Sequence, residues 1–229
     1  MNPLARLLAD HPHVLLDFDG PICGAFEGVT DRWLAEQLRA TLAAAGFDLL
    51  PADIKAISDP FAVLRYSPQL GSDVPAGLDT VFVELEQQAV RVAPPTPGAA
   101  DAIAALRAAG HTVTVVSNNS EPAIRAYLRA HELDQFVTGV IGREIGRPAL
   151  LKPHPHAVLR AARELDTIPA RCVLVGDSLS DLEAAHTAGT VAIGHANKPG
   201  KRETFTALEP AAIIELMTEL VDAVVARRR

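Results

Sequence analysis

Val14-Leu15-Leu16-Asp17-Phe18-Asp19-Gly20 is an apolar strand that delivers two carboxylates to its end before a glycine turns the chain. Residues two apart on a strand share a face, so Asp17 and Asp19 aim the same way unless the strand ends between them. Carboxylates held side by side repel, so at least one must take a proton or the two must share a cation. By itself the pair leaves two readings open: metal-assisted or acid/base chemistry, or two exposed loop acids.

Outward from this stretch the pattern of apolar strand and polar turn recurs. Thr112-Val113-Thr114-Val115-Val116-Ser117, Phe136-Val137-Thr138-Gly139-Val140-Ile141, Cys172-Val173-Leu174-Val175-Gly176-Asp177 and Thr190-Val191-Ala192-Ile193-Gly194 are near-continuous apolar runs, as strands covered on both faces require. Helical patterns fill the gaps: residues 98–109, stopped by Gly110; a helix opened by Ser120-Glu121-Pro122 with Ser120 as its N-cap; one started by Pro155 through Val158, Leu159, Ala162 and Leu165; and one running from Asp181 to Gly189. This alternation predicts an α/β fold with a parallel sheet and right-handed crossovers. Ligands of such sheets bind beyond the carboxyl ends of the strands, where Asp17, Ser117 and Asp177 all fall.

One interval breaks the rhythm. Residues 22–93 hold helical patterns at 31–45, 52–57 and 78–92 but no strand. About seventy residues of helix are too many for a simple crossover, so the expected organisation is a core of residues 1–21 and 94–229 with a separate helical domain at 22–93. Gly20-Pro21-Ile22-Cys23-Gly24 leads in and Val92-Ala93-Pro94-Pro95-Thr96-Pro97-Gly98 leads out, two connections at one point that make a natural hinge.

Composition narrows the function. The 229 residues are 48% hydrophobic but only 4% aromatic, and the formal net charge is −7. Such a chain lacks both the basic face and the stacking rings that nucleic acid requires, and an anionic membrane is equally unsuited. Cys23 and Cys172 have no paired spacing, which suggests a reducing compartment. The start of the chain carries neither a signal-peptide pattern nor a spanning segment, so the expectation is cytoplasmic. The pairs His11/His13 and His154/His156 read as solvated loop residues. Residues 211–226 are expected to form a helix on the sheet, with Arg227-Arg228-Arg229 complementing its negative end. A monomer or a homodimer fits equally.

Four polar clusters now stand in order: Asp17 and Asp19; Ser117-Asn118-Asn119; Lys152-Pro153; and Gly176-Asp177-Ser178-Leu179-Ser180-Asp181. With a helical insert after the first, this set resembles the haloacid dehalogenase-like hydrolase superfamily from about His13 to about Asn197. The resemblance is to the phosphatase branch that includes phosphoglycolate phosphatase-like members. It implies a Rossmann-like sheet ordered 5-4-1-2-3 with the helical insert as a mobile cap domain.

The resemblance also implies roles. Asp17 is the expected nucleophile, forming an aspartyl-phosphate; Asp19 is the expected general acid and then base, its backbone carbonyl facing a metal. Asp177 joins Asp17 and Asp19 in the metal set, with Asp181 supporting, and oxygen ligands suit Mg²⁺. Lys152 offsets the charge of nucleophile and phosphoryl group, while Ser117 and Asn118 bind phosphoryl oxygen. The chain has 17 arginines and four lysines, which argues that the lysine before Pro153 is placed by need. The chain departs from the family's first motif at Pro21, which offers neither hydroxyl nor N–H and so alters the hydrogen bonding behind Asp19.

The expected activity is Mg²⁺-dependent hydrolysis of a small phosphorylated metabolite. A carbon-attacking dehalogenase needs no second acid, and the insert's one lysine, Lys55, has nothing around it that marks a Schiff base. A phosphomutase keeps the same four motifs and is the enzymatic alternative; a non-catalytic phosphate-ligand-binding protein is the alternative from another class. In the insert, Arg32, Trp33, Arg65 and Tyr66 are the candidates to reach the cleft, with Trp33 read as core and Arg65 as a solvated helix residue.

Overall fold

The computed structural model describes residues 2–226, so Arg227-Arg228-Arg229 lie outside the described residues. In chain order, α1 (Pro3–Asp10) leads into β1 (His13–Leu16). Four helices follow before the sheet resumes: α2 (Asp31–Ala44), α3 (Ala52–Ala56), α4 (Pro60–Tyr66) and α5 (Val74–Ala89). The remainder alternates as α6 (Ala99–Ala108), β2 (Thr112–Val116), α7 (Glu121–Ala130), β3 (Gly139–Ile141), α8 (His156–Glu164), β4 (Cys172–Gly176), α9 (Leu179–Ala188), β5 (Val191–His195), α10 (Lys201–Thr206), β6 (Ala212–Ile214) and α11 (Thr218–Ala226). No helix among the described residues is long and apolar enough to cross a membrane.

All strand pairs are parallel, in the order β3-β2-β1-β4-β5-β6. This is the expected order with one strand added. β1 is central, and its consecutive residues serve opposite faces: Val14 and Leu16 join the core under α1, α6 and α11, whereas Leu15 packs with Val158, Ala161 and Ala184 under α8 and α9. Register places the strand ends together. Leu16 stands level with Val115 and Val175, so Asp17, Ser117 and Asp177 emerge along one edge.

The added strand corrects the reading of residues 211–226 as one helix. Ile213 and Ile214 are β-branched and suit a pleated surface, and the exposed edge of β5 supplies the partners: Ala211 N–H donates to Ala192 O at 2.9 Å and Ala196 N–H to Ile214 O at 2.7 Å. Only Thr218–Ala226 is helical, with Leu220 and Val224 buried.

The insert has its own aromatic centre, in which Phe61 lies 5.3 Å from Phe82 and 6.2 Å from Phe26. One buried cluster nevertheless runs unbroken from these rings through Phe18 to the α6 face of the sheet. α4 was not foreseen; its Asp59 caps it through a 2.8 Å bond from Phe61 N–H, and Pro60 stands at its first position. Trp33, expected in the core, is 38% exposed, because the buried stripe of α2 is Leu34, Ala35, Leu38 and Leu42. Leu159 likewise faces outward; α8 buries Ala157, Val158, Ala161 and Ala162.

Candidate active site

β1 ends at Leu16, so Asp17 and Asp19 diverge. Asp17 continues the ladder through its N–H to Val175 O (2.9 Å) and turns its carboxylate inward, where Oδ1 accepts from Phe18 N–H (2.7 Å) and Lys152 Nζ (2.8 Å). Asp19 instead hooks back over the turn, its Oδ1 accepting from Ala25 N–H at 2.8 Å. The turn at Pro21 is closed by its neighbours: Ile22 and Cys23 both donate to Phe18 O, and the hydroxyl of Thr96, from the returning connection, donates to Gly20 O at 2.6 Å.

Lys152 has two carboxylates for its one charge. Its ammonium is buried and uses three acceptors, Asp17 Oδ1, Asp181 Oδ1 and Val116 O, which is all an ammonium can donate to. Burial opposes its charge, but Asp17 and Asp181 hold its pKa above the usual lysine range. Asp181 is likewise saturated, since its Oδ2 accepts the N–H and hydroxyl of Ser178 while capping α9. Burial first, then repulsion from Asp181, push the Asp17 carboxyl up to about 7 against the pull of Lys152. Burial also raises Asp19, to about 6, though the Ala25 N–H opposes it.

Asp17, Asp177 and Asp181 each present an oxygen within 4.8 Å of the others. Oδ2 of Asp17 and Oδ1 of Asp177 take no hydrogen bond from the described residues, whereas both oxygens of Asp181 are taken. Gly20 makes room for this: its φ is +97°, and a Cβ there would stand 2.2 Å from Asp177 Cγ. An all-oxygen set with two open carboxylate oxygens fits a hard divalent cation. The Asp19 carboxylate is not one of the three.

Ser117 follows β2, its N–H donating to Ile141 O at 2.9 Å. Asn118 ties the Ser117 turn to Lys152 reciprocally: Lys152 N–H donates to Asn118 Oδ1 at 2.7 Å, and Asn118 Nδ2 to Lys152 O at 3.3 Å. A cavity of about 160 Å³ is lined by Asp17, Asp19, Ser117, Lys152 and Asp177, and by Phe61 of the insert. A second, of about 420 Å³, shares Asp19 and Asp177 and extends toward Thr30, Asp31 and Lys198. The structure thus brings together Asp17, Asp19, Ser117, Asn118, Lys152, Asp177 and Asp181.

Other participants were not foreseen. Lys201 Nζ donates to Asp177 Oδ2 (2.5 Å) and to Asp177 O (2.6 Å), and Asn197 Nδ2 adds a bond to the same Oδ2 at 3.1 Å. Arg65, read as a solvated helix residue, donates to Lys152 O at 2.9 Å and faces Asp59 at 3.6 Å, so it joins the insert to the core. Ser120 does not cap α7 through its side chain; its N–H goes to Glu86 of the insert instead. His156 is engaged with Glu144 at 2.5 Å.

A family model described as haloacid dehalogenase-like hydrolase matches residues 11–189. Phosphoglycolate phosphatase of Salmonella choleraesuis (strain SC-B67) is 30% identical over 127 residues, 56% of this chain and 50% of that protein; the chain thus spans about half the length of the curated relatives it matches first. Probable phosphatase IndB of Dickeya dadantii (strain 3937) is 27% identical over 224 residues, 93% of each chain. Among solved structures, a HAD family hydrolase from Deinococcus radiodurans R1 with bound phosphate and sodium has a TM-score of 0.61 and 25% identity, covering 95% of this chain and 96% of that one.

Proposed function

The chain belongs to the haloacid dehalogenase-like hydrolase family, and on that footing we propose that it is a phosphatase that hydrolyses a small phosphorylated metabolite with the help of Mg²⁺. The observation that carries this reading is the state of Asp17. Its Oδ1 is pinned by Lys152 and the Phe18 N–H, while Oδ2 stays open in a cavity that Ser117 also lines. A nucleophile needs that combination of fixed orientation and one free oxygen.

In the proposed reaction the Asp17 carboxylate attacks phosphorus in line, the bond to the leaving oxygen breaks, and Asp19 gives that oxygen its proton. Asp19 then takes a proton from water as the water attacks the phosphorus of the aspartyl-phosphate, releasing phosphate and restoring Asp17. A carboxyl held up at about 6 suits an acid that must become a base within one cycle. Lys152 keeps its charge throughout and offsets the negative charge of the phosphoryl group, and the Ser117 hydroxyl turns its one proton from Asn119 Oδ1 to one of that group's oxygens. Mg²⁺, held by Asp17, Asp177 and the Asp19 backbone carbonyl, would neutralise phosphoryl charge.

Residues 22–93 then act as a cap domain over a core of 1–21 and 94–229. Their two connections are bonded to each other, Gly24 N–H to Pro94 O and Thr96 N–H to Ile22 O, both 3.0 Å, which favours motion of the insert as one piece. The contribution of Phe61 of the insert to the lining of the 160 Å³ cavity favours a small substrate over a phosphoprotein. Two free, buried cysteines fit a reducing cytoplasm.

The test is phosphate release from p-nitrophenyl phosphate, acetyl phosphate and a panel of small phosphate esters, with Mg²⁺. Turnover is expected on several of them. No turnover across the panel by a folded protein that binds Mg²⁺ would overturn the reading in favour of a phosphate-ligand-binding protein.

A further inference from the structure

The polar network that reaches Ser117 does not stop within the core. Glu86, on α5 of the insert, is fully buried, and its carboxylate accepts from Asn119 Nδ2 (3.1 Å), Ser120 N–H (3.2 Å) and Arg143 Nη1 (2.7 Å). An ionised carboxylate only accepts, so it compels the Asn119 amide to present its NH₂ to Glu86 and its Oδ1 the other way. There Oδ1 accepts from the Ser117 hydroxyl at 3.1 Å, while Asn119 N–H donates to the same Oγ at 3.3 Å. Asn119, whose side-chain orientation Glu86 dictates, therefore fixes the Ser117 Oγ on two sides, and the hydroxyl's one proton rests on Asn119 Oδ1 until a phosphoryl oxygen takes it over.

Arg143 completes the grip. Its Nε bonds Asp79 Oδ1 (2.7 Å), its N–H donates to Asn119 O (3.1 Å), its Nη1 reaches Asn118 O (3.3 Å), and its guanidinium lies 4.5 Å from the centre of the Phe82 ring. Asp79, Phe82 and Glu86 lie along one face of α5, so the turn after β2 is clasped by one face of one insert helix.

We infer that Glu86 is a positioning residue for phosphoryl binding, acting through Asn119 on Ser117, so that the phosphate site is complete only while α5 is docked on the core. This rests on the phosphatase reading above. It assigns the insert a part in forming the phosphoryl site as well as in covering it.

The experiment compares wild type with Glu86→Gln, Asn119→Ala, their double variant, Ser117→Ala, and Ser117→Ala combined with Asn119→Ala, all as full chains with Mg²⁺. Calorimetric affinity for inorganic phosphate is measured beside the melting temperature, with kcat and KM on p-nitrophenyl phosphate. Asn119→Ala is expected to weaken phosphate binding by about tenfold, because Ser117 loses the side chain that fixes its rotamer before phosphate binds, and Glu86→Gln by several-fold. The double variant should be no worse than Asn119→Ala, and Asn119→Ala should add nothing once Ser117 is alanine. Folded variants that bind phosphate as wild type does, or losses that multiply in the double variant, would overturn the inference. If Glu86→Gln does not fold, Asn119→Ala and the Ser117→Ala background decide alone, because they leave the Arg143 ion pairs intact. A wild type that neither binds phosphate nor hydrolyses esters sinks the phosphatase reading and this inference with it; an active wild type with indifferent variants sinks this inference alone.

Discussion

Lys152 and the carboxylates around it form a charge cluster in which every member depends on the others. Removing Lys152 as Lys152→Met leaves Asp17, Asp177 and Asp181 facing one another with Asp17 and Asp181 buried, which is expected to cost about 3–5 kcal/mol and to show as a large fall in denaturant midpoint. Asp17→Asn should behave oppositely: Lys152 retains Asp181, so the fold persists while turnover falls by about a thousandfold or more. An active Asp17→Asn protein would remove Asp17 from the nucleophile's role. The raised pKa of Asp17 has a consequence for stability. The folded chain holds a proton at Asp17 up to about pH 7, whereas an unfolded carboxyl loses it near its ordinary value of 3.8. The stability from this group is thus present in full below about 3.8 and is lost as pH rises through 7. Without metal, the melting temperature of wild type relative to Asp17→Asn should fall between pH 4 and pH 7, and parallel curves for the two proteins would refute it.

At the scale of elements, what positions the site is the alignment of three strand ends and the clasp of α5. β1, β2 and β4 were readable from their apolar runs, because a strand covered on both faces has no reason to alternate. β6 was not readable. Its three residues sit in a stretch whose apolar spacing also suits a helix, and what decides is the open edge of β5, which no local window contains. α11 then packs Leu220 and Val224 against the core. Leu220→Ala is expected to cost about 2–5 kcal/mol, measured by urea unfolding, without altering phosphate affinity. A shift in affinity at unchanged stability would mean that the C-terminal helix reaches the site, which its place behind the sheet opposes.

Across the whole molecule, a core and a helical insert meet over two cavities and a cluster of carboxylates. A divalent cation bound there stabilises the folded state by mass action. The melting temperature should therefore rise with Mg²⁺ concentration, EDTA should abolish activity, and added Mg²⁺ should restore it. Full activity after chelation would exclude the metal role assigned to Asp17 and Asp177. From the chain alone came the α/β class, the helical insert between the first two strands, and Asp17, Asp19, Ser117, Lys152 and Asp177. The strands and the acids at their ends are announced by local signals that survive without tertiary contacts, whereas Ser117 and Lys152 are singled out by the resemblance of the ordered motifs to those of the family. Only the folded molecule reveals that Lys201 holds Asp177, that Arg65 reaches Lys152, and that Glu86 acts on Asn119. Glu86 and Asn119 lie 33 positions apart and Arg65 and Lys152 lie 87 apart, so nothing in the spacing joins them. Lys201 opens α10 directly after Gly200 and lies 24 positions from Asp177. A buried charge such as Glu86 declares itself only when the partner that pays for its burial is in place.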